Sequence, residues 1–204
     1  MSGGAAGFTP VVTCLATHGI AAQTWSAPGY DGAPLIDPYS LAGLAARLWT
    51  DLSADGDPGT VVLAGHSMGG MLALECAATW PVPPAALVLA CAVPAFRLEG
   101  RARDEFLARR LSGIDAPNGM ARTAGALIPA LVGDGAVPGC IAAAIDVMAG
   151  IPPETYRRAV TALADFDRQA DLRRLALPSL CLAGSRDTVA RPASAWAWSG
   201  FSAS

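Results

Sequence analysis

The residues with the clearest chemical potential are Gly65-His66-Ser67-Met68-Gly69, a serine with a glycine two positions to either side. A serine hydroxyl acts as a nucleophile where the fold exposes it and supplies donors for the negative charge that attack generates. The flanking sequence provides the context for both. Thr60 to Ala64 (TVVLA) is a continuous apolar run that reads as a strand buried on both faces, and a helical run extends from Met68 to about Trp80. A tight strand-to-helix turn between them strains the backbone and pushes Ser67 Oγ into the open at the carboxyl end of the strand. The same turn sets Met68 N–H at the start of a helix, where backbone donors and the dipole favour an oxyanion. Glycines two before and two after the serine let neighbouring backbone pack closely.

Composition excludes other chemistries. The 204 residues include no lysine, so a Walker-A phosphate site, a Schiff base and a lysine nucleophile are all ruled out. Two histidines, His18 and His66, are too few for a histidine-rich zinc site. The net charge of −3 and the interleaving of Arg101, Arg103, Arg109 and Arg110, and of Arg157 and Arg158, with acids and apolar residues argue for solvated helix faces and against a nucleic-acid surface. Five cysteines (Cys14, Cys76, Cys91, Cys140, Cys181) stand without short spacing in apolar runs, as expected of buried free thiols in a reducing cytosol. No basic-then-apolar leader opens the chain, and no apolar run approaches the ~20 residues that span a bilayer. A cytoplasmic protein is expected.

The elements that would position the serine follow from periodicity. Phe8, Val11, Val12, Leu15 and Ala16 define an amphipathic helix that stops at Gly19. Ile20 to Trp25 is a short strand candidate closed by the turn APGYDGAP. Ser40 caps a second helix with Leu41, Leu44, Ala45, Leu48 and Leu52 on one face. Ala86 to Ala90 (ALVLA) is a buried strand, residues 96 to 177 carry helical periodicity alone, and strand character returns at Ser179 to Ala183 (SLCLA). The tail PASAWAWSGFSAS has no clear period. The expected fold is α/β with a mostly parallel sheet, divided as a core over 1–95, a helical insert over 96–177 and a return to the core over 178–204.

Taken together, these segments resemble the α/β-hydrolase superfamily, and within it the 3-oxoadipate enol-lactonase type of cofactor-free esterase and lactonase. VVLAGHSMGGMLAL is similar to that family's fifth strand, nucleophile elbow and following helix, APGYDGAP to its turn after the fourth strand, and ALVLA to its sixth strand. The block 96–177 is similar to its cap, and LALPSLCLAGSRDTVARP to its seventh strand and acid-bearing loop. The resemblance implies Ser67 as nucleophile, Asp187 as the triad acid and Met68 N–H as an oxyanion donor. An Asp187 that merely caps its loop is the competing reading. Asp165, Asp167 and Asp171 read as solvated or paired, and Glu75 as structural.

The family's histidine follows the acid, and no histidine follows Asp187 in this sequence. His66 adjoins the serine and points away from it, while His18 reads as a helix C-terminal residue. An alternative makes VVTCLA a strand ending in the family's HG pair, here His18-Gly19. The helix reading is preferred. It aligns MSGGAAGF with the loop after that pair, puts Met1 where the second oxyanion donor belongs, and implies a sheet truncated at both ends with exposed apolar edges. The tail departs from the family pattern, as a frameshift near Pro192 would explain.

The resulting expectation is a serine hydrolase by ancestry, acting on a small ester or lactone with no cofactor or metal and impaired by the absent histidine. Acyl transfer or cofactor-free perhydrolysis on the same elbow, and a non-catalytic truncated remnant, are the alternatives. The expected partner is a small-molecule substrate, with neither nucleic acid nor membrane.

Overall fold

A computed structural model describes residues 3–133 and 135–190. The chain gathers into two compact units, one of residues up to 36 with 105–160, the other of 37–104 with the chain from 161 onward.

The second unit holds the sheet. Strands β1 (Val62–His66), β2 (Ala86–Ala90) and β3 (Ser179–Leu182) lie parallel in the order β1-β2-β3. Val62 stands beside Ala86 and His66 beside Ala90, while Ala90 also stands beside Leu182. Parallel neighbours need a crossover, and helix α3 (Met68–Thr79) makes the one between β1 and β2, packing on both strands. Helix α2 (Leu41–Asp55) packs on α3, burying Leu41, Leu44, Ala45 and Leu48. Ser40 caps α2 as its type and position require, its Oγ accepting from Gly43 N–H at 3.0 Å. Trp80 joins the same layer: its indole N–H donates to Ala45 O at 2.9 Å, and its ring meets Trp49 edge-on at 5.2 Å.

Register divides the sheet into two unlike faces. Leu63, Gly65, Leu87 and Leu89 alternate with Val62, Ala64, Val88, Leu180 and Leu182. Leu87 and Leu89 are buried, whereas Val62 is 57% exposed, Leu180 55% and Leu182 49%. The expectation of a strand buried on both faces at TVVLA therefore fails. The strand also begins two residues later, at Val62. Among the described residues no fourth strand pairs with β1 or β3, and Val62, Leu180 and Leu182 face solvent.

Asp165, Asp167, Asp171 and Glu75 are all engaged in pairs. Arg103 pairs with Asp165 at 3.0 Å and Arg97 with Asp167 at 3.7 Å. Arg168 reaches Glu75 on α3 through Nε at 2.7 Å and through Nη2, and holds Asp171 through Nη1 at 3.2 Å. Glu75 is buried, so this fork supplies the partner that a buried carboxylate requires. Residues 94–98 and 164–168 run side by side, with Phe96 N–H donating to Phe166 O at 2.8 Å and Leu98 N–H to Ala164 O at 2.9 Å.

In the other unit, the expected helix forms as α1 (Thr9–Thr17) after a 3-10 turn that holds Phe8, none of its residues is buried, and Gly19 follows in the left-handed region at φ 72°. The strand alternative for VVTCLA is thereby rejected. The expected strand at Ile20 to Trp25 is irregular chain without a ladder, and Ile20 is 51% exposed. Helices α4 (Gly100–Leu111) and α7 (Pro153–Ala164) cross the unit boundaries, while α5 (Gly119–Leu131) packs on α6 (Pro138–Ala149). The turn APGYDGAP closes with Gly29 N–H donating to Ala33 O at 2.9 Å. Gly29 has φ 85°, and a Cβ there would lie 2.7 Å from Thr155 Oγ1, so glycine is required. Thr155 Oγ1 in turn donates to Gly29 O at 2.9 Å. Among the described residues no helix is long and apolar enough to cross a membrane.

The uncovered sheet face makes a direct test possible. Leu180→Thr with Leu182→Thr keeps strand propensity, and each change should move the unfolding free energy by no more than about 0.5 kcal/mol. Light scattering of the double variant should fall. A combined loss above about 2 kcal/mol in urea denaturation would mean that this face is covered in solution.

Candidate active site

Three parallel strands bring their carboxyl ends together, and the chemistry-bearing residues follow those ends. Ser67 comes directly after β1, Cys91 directly after β2, and Asp187 five residues beyond β3. Ser67 has φ 54° and ψ −120°, a conformation that side-chain-bearing residues rarely adopt. Its backbone explains why the strain persists. Ser67 N–H donates to Ala90 O at 2.8 Å, which continues the β1–β2 ladder one residue past the strand. Ser67 O then accepts from Gly70 N–H at 2.9 Å and Met71 N–H at 3.1 Å, which starts α3. One residue thus ends a strand and begins a helix.

The glycine requirement is only half as expected. A Cβ on Gly65 would stand 2.2 Å from the carbonyl carbon and oxygen of Gly69, so no side chain fits there. A Cβ on Gly69 would meet nothing within 4 Å. The second close approach belongs to Gly70, where a Cβ would lie 2.7 Å from the Ala92 Cβ. The helix start packs its backbone against the strand through Gly70, and the glycine two beyond the serine does not share in that contact.

Met68 opens α3 with its side chain buried. As the first residue of the helix it has no intrahelical acceptor for its N–H, which suits the expected donor role. Met1, expected to supply a second donor, lies outside the described residues, as does the tail from Pro192.

Asp187 sits in a tight loop. Its N–H donates to Gly184 O at 3.0 Å, and its Oδ1 accepts from Val189 N–H and Ala190 N–H, both at 2.8 Å. The carboxylate is thus fixed by its own loop. It also lies beside Cys91, a residue that sequence reasoning passed over as one more buried thiol. Cys91 has φ 48° and its N–H donates to Leu182 O at 2.8 Å. Burial pushes the Cys91 thiol pKa up, the Gly184 backbone pulls it down, and the Asp187 carboxylate adds to the rise. The available signal was its position, first after a strand that ends level with the serine strand.

Both histidines stand at the ends of local elements. His66 is the last residue of β1 and shares a sheet face with Val62 and Ala64. Desolvation of its ring holds its pKa below the ordinary value, with Asp187 pulling the other way. His18 is the C-cap of α1, and its ring Nδ1 lies 3.0 Å from Cys14 O. All five cysteines are free, but only Cys76 is buried; Cys14 and Cys140 are exposed. The expectation of uniformly buried thiols fails because α1 and α6 turn those positions toward solvent.

Two outcomes follow. Gly65→Ala should cost about 3 kcal/mol or more in urea unfolding because backbone atoms cannot yield. Gly69→Ala should be neutral or stabilise by up to about 1 kcal/mol through helix propensity. In iodoacetamide mapping at pH 8, Cys14 and Cys140 should be modified well before Cys91. The Cys91 rate should keep climbing with pH beyond the usual thiol range, because its raised pKa withholds the thiolate. Equal rates at Cys14 and Cys91 would contradict the burial described.

The family model described as "Alpha/beta hydrolase family" matches residues 2–202. A hydrolase from Pseudomonas aeruginosa PA01 is similar at 24% identity and TM-score 0.80, covering 98% of this chain and 74% of its own. The enol-lactonase from Burkholderia xenovorans LB400 is similar at 20% identity and TM-score 0.80, with 97% and 74% covered. An esterase from Exiguobacterium antarcticum is similar at 17% identity and TM-score 0.83, with 98% and 76% covered. Among curated proteins no match is found. These structures share the fold. The family match extends over nearly the whole sequence, and the chain belongs to the alpha/beta hydrolase family.

Proposed function

We propose that this chain carries the serine-nucleophile half of a hydrolase site for a small ester or lactone, with turnover impaired by the missing triad histidine. The observation that carries the reading is Ser67 at φ 54° on the β1–α3 turn, strained by the short connection that sets it at the carboxyl end of β1. In an intact relative with this arrangement, the serine oxygen attacks the acyl carbonyl while a histidine takes its proton. The carbonyl oxygen, now negative, is held by Met68 N–H, and Asp187 orients the histidine. The expelled alcohol takes the proton back, and water repeats the sequence on the acyl-enzyme.

Within the 204 residues no histidine follows Asp187, and we assign the role of base neither to His66, which adjoins the serine, nor to His18, the C-cap of α1. Loss of the base in triad hydrolases lowers turnover by roughly 10⁴–10⁶-fold. Esterase and enol-lactonase relatives of the same fold support the ester or lactone class, and we assign substrate choice to the helical block 96–177. Five free cysteines accord with a reducing, cytoplasmic setting.

Hydrolysis of p-nitrophenyl butyrate by the purified chain should be indistinguishable from that of Ser67→Ala. A fluorophosphonate probe should label Ser67 slowly or not at all. Fast turnover that disappears in Ser67→Ala would show that another group serves as the base.

A further inference from the structure

We propose that the helical unit binds a small organic carboxylate in the cleft between Arg110, Arg122 and Tyr156. The cleft measures about 510 Å³ and lies wholly within residues 105–160. Arg109 and Arg110 close the last turn of α4, Arg122 lies in the first turn of α5, and Tyr156 lies in the first turn of α7. Three helix ends thus bring cationic and hydroxyl donors to one place.

Two of the polar atoms there lack a well-formed hydrogen bond. Arg110 Nη1 and the Tyr156 hydroxyl are both buried without a hydrogen-bond partner, and Tyr156 is 0% exposed. Buried donors are paired in the great majority of cases, so two unpaired ones in one cleft point to a missing acceptor. The two groups face each other: burial raises the Tyr156 pKa, and the Arg110 charge and the closeness of its guanidinium to the phenol oxygen offset part of the rise. The phenol therefore stays neutral and able to donate.

Among the described residues no carboxylate pairs with Arg109, Arg110 or Arg122. The local acids are engaged elsewhere, Asp115 by Arg157 at 2.7 Å and Glu154 by Arg157 and Arg158. The arginine heads are nonetheless held in place. Arg110 lies over the Phe106 ring, 5.6 Å from its centroid, and Arg122 Nη1 donates to Pro117 O at 2.9 Å. A guanidinium fork and a phenol suit a planar carboxylate. Leu127 and Ala130 line the cleft along α5 beyond Arg122, so the ligand should carry a short apolar body behind its acid group. Bare inorganic phosphate would leave that wall uncovered.

The inference is independent of ester hydrolysis, because it concerns binding to residues other than Ser67, Met68 and Asp187. The test is calorimetric titration of the full chain with hexanoate, with hexanol and inorganic phosphate as comparators. Hexanoate should bind saturably and hexanol should not. Arg110→Gln and Arg122→Gln should each weaken hexanoate about ten-fold or more, while Arg173→Gln, on an exposed stretch, should leave it unchanged. Tyr156→Phe serves where an arginine variant folds poorly. It removes a hydroxyl without a partner, so the melting temperature should hold or rise while hexanoate affinity falls several-fold. Absent saturation, equal binding of hexanol, phosphate binding at least as tight as hexanoate, or insensitivity to these substitutions would each overturn the proposal.

Discussion

The structure depends on the close approach of one backbone to another at Gly65. The strand that ends at His66 and the helix that begins at Met68 come so near that a Cβ on Gly65 would lie 2.2 Å from Gly69 backbone atoms. Only that proximity lets a single residue, Ser67, donate to Ala90 O on one side and accept from Gly70 and Met71 on the other. The positive φ at Ser67 is the cost of the short connection. Strain of this kind persists where several hydrogen bonds over-determine it. It places the serine at the carboxyl ends of the strands, where open α/β sheets build their sites.

Much of this was legible in the sequence because it is local. The strand ALVLA, the helix after Ser67, the Ser40 cap and the stop at Gly19 rest on periodicity and on end signals that neighbouring residues supply. Failures occurred where the outcome depends on partners far along the chain. Ile20 to Trp25 has strand-like composition, yet a strand exists only by ladder pairing, and among the described residues no strand ladder includes it. TVVLA reads as buried on both faces, yet burial depends on which layers arrive, and Val62 stays 57% exposed. At the candidate site, the positions of Ser67 after β1 and Asp187 after β3 could be read from short motifs. Cys91 could be placed directly after ALVLA, but its place beside Asp187 could not be read, because it follows from the register of β2 against β3.

The sheet unit compensates for one uncovered face with specific connections on the other. Residues 93 apart in sequence are joined when Arg168 forks onto Glu75, and the same arginine holds Asp171. A buried carboxylate is tolerable only with such a partner. The pairing therefore fixes where the chain after α7 must run, and with it the approach to β3. The backbone ladder between residues 94–98 and 164–168 reinforces that path. A sheet held this way keeps its strand order even though Leu180 and Leu182 gain little from burial.

At Asp187 a structural role is compatible with a chemical one. Its Oδ1 accepts from the amides of Val189 and Ala190, the work of a loop cap, and that alone would explain an aspartate at this position. The same two hydrogen bonds hold the carboxylate still, and a still carboxylate at the carboxyl edge of the sheet is what the orientation of a base requires. Capping restricts which way the acid can face, and the loop turns it toward the end of β2, where Cys91 stands. A thiol there cannot replace an imidazole as base: the nearby carboxylate and burial both keep it protonated, so it holds its proton at the pH where a serine would need to lose one. The geometry on the page is thus a strained turn at Ser67 and a carboxylate fixed by its own loop at Asp187.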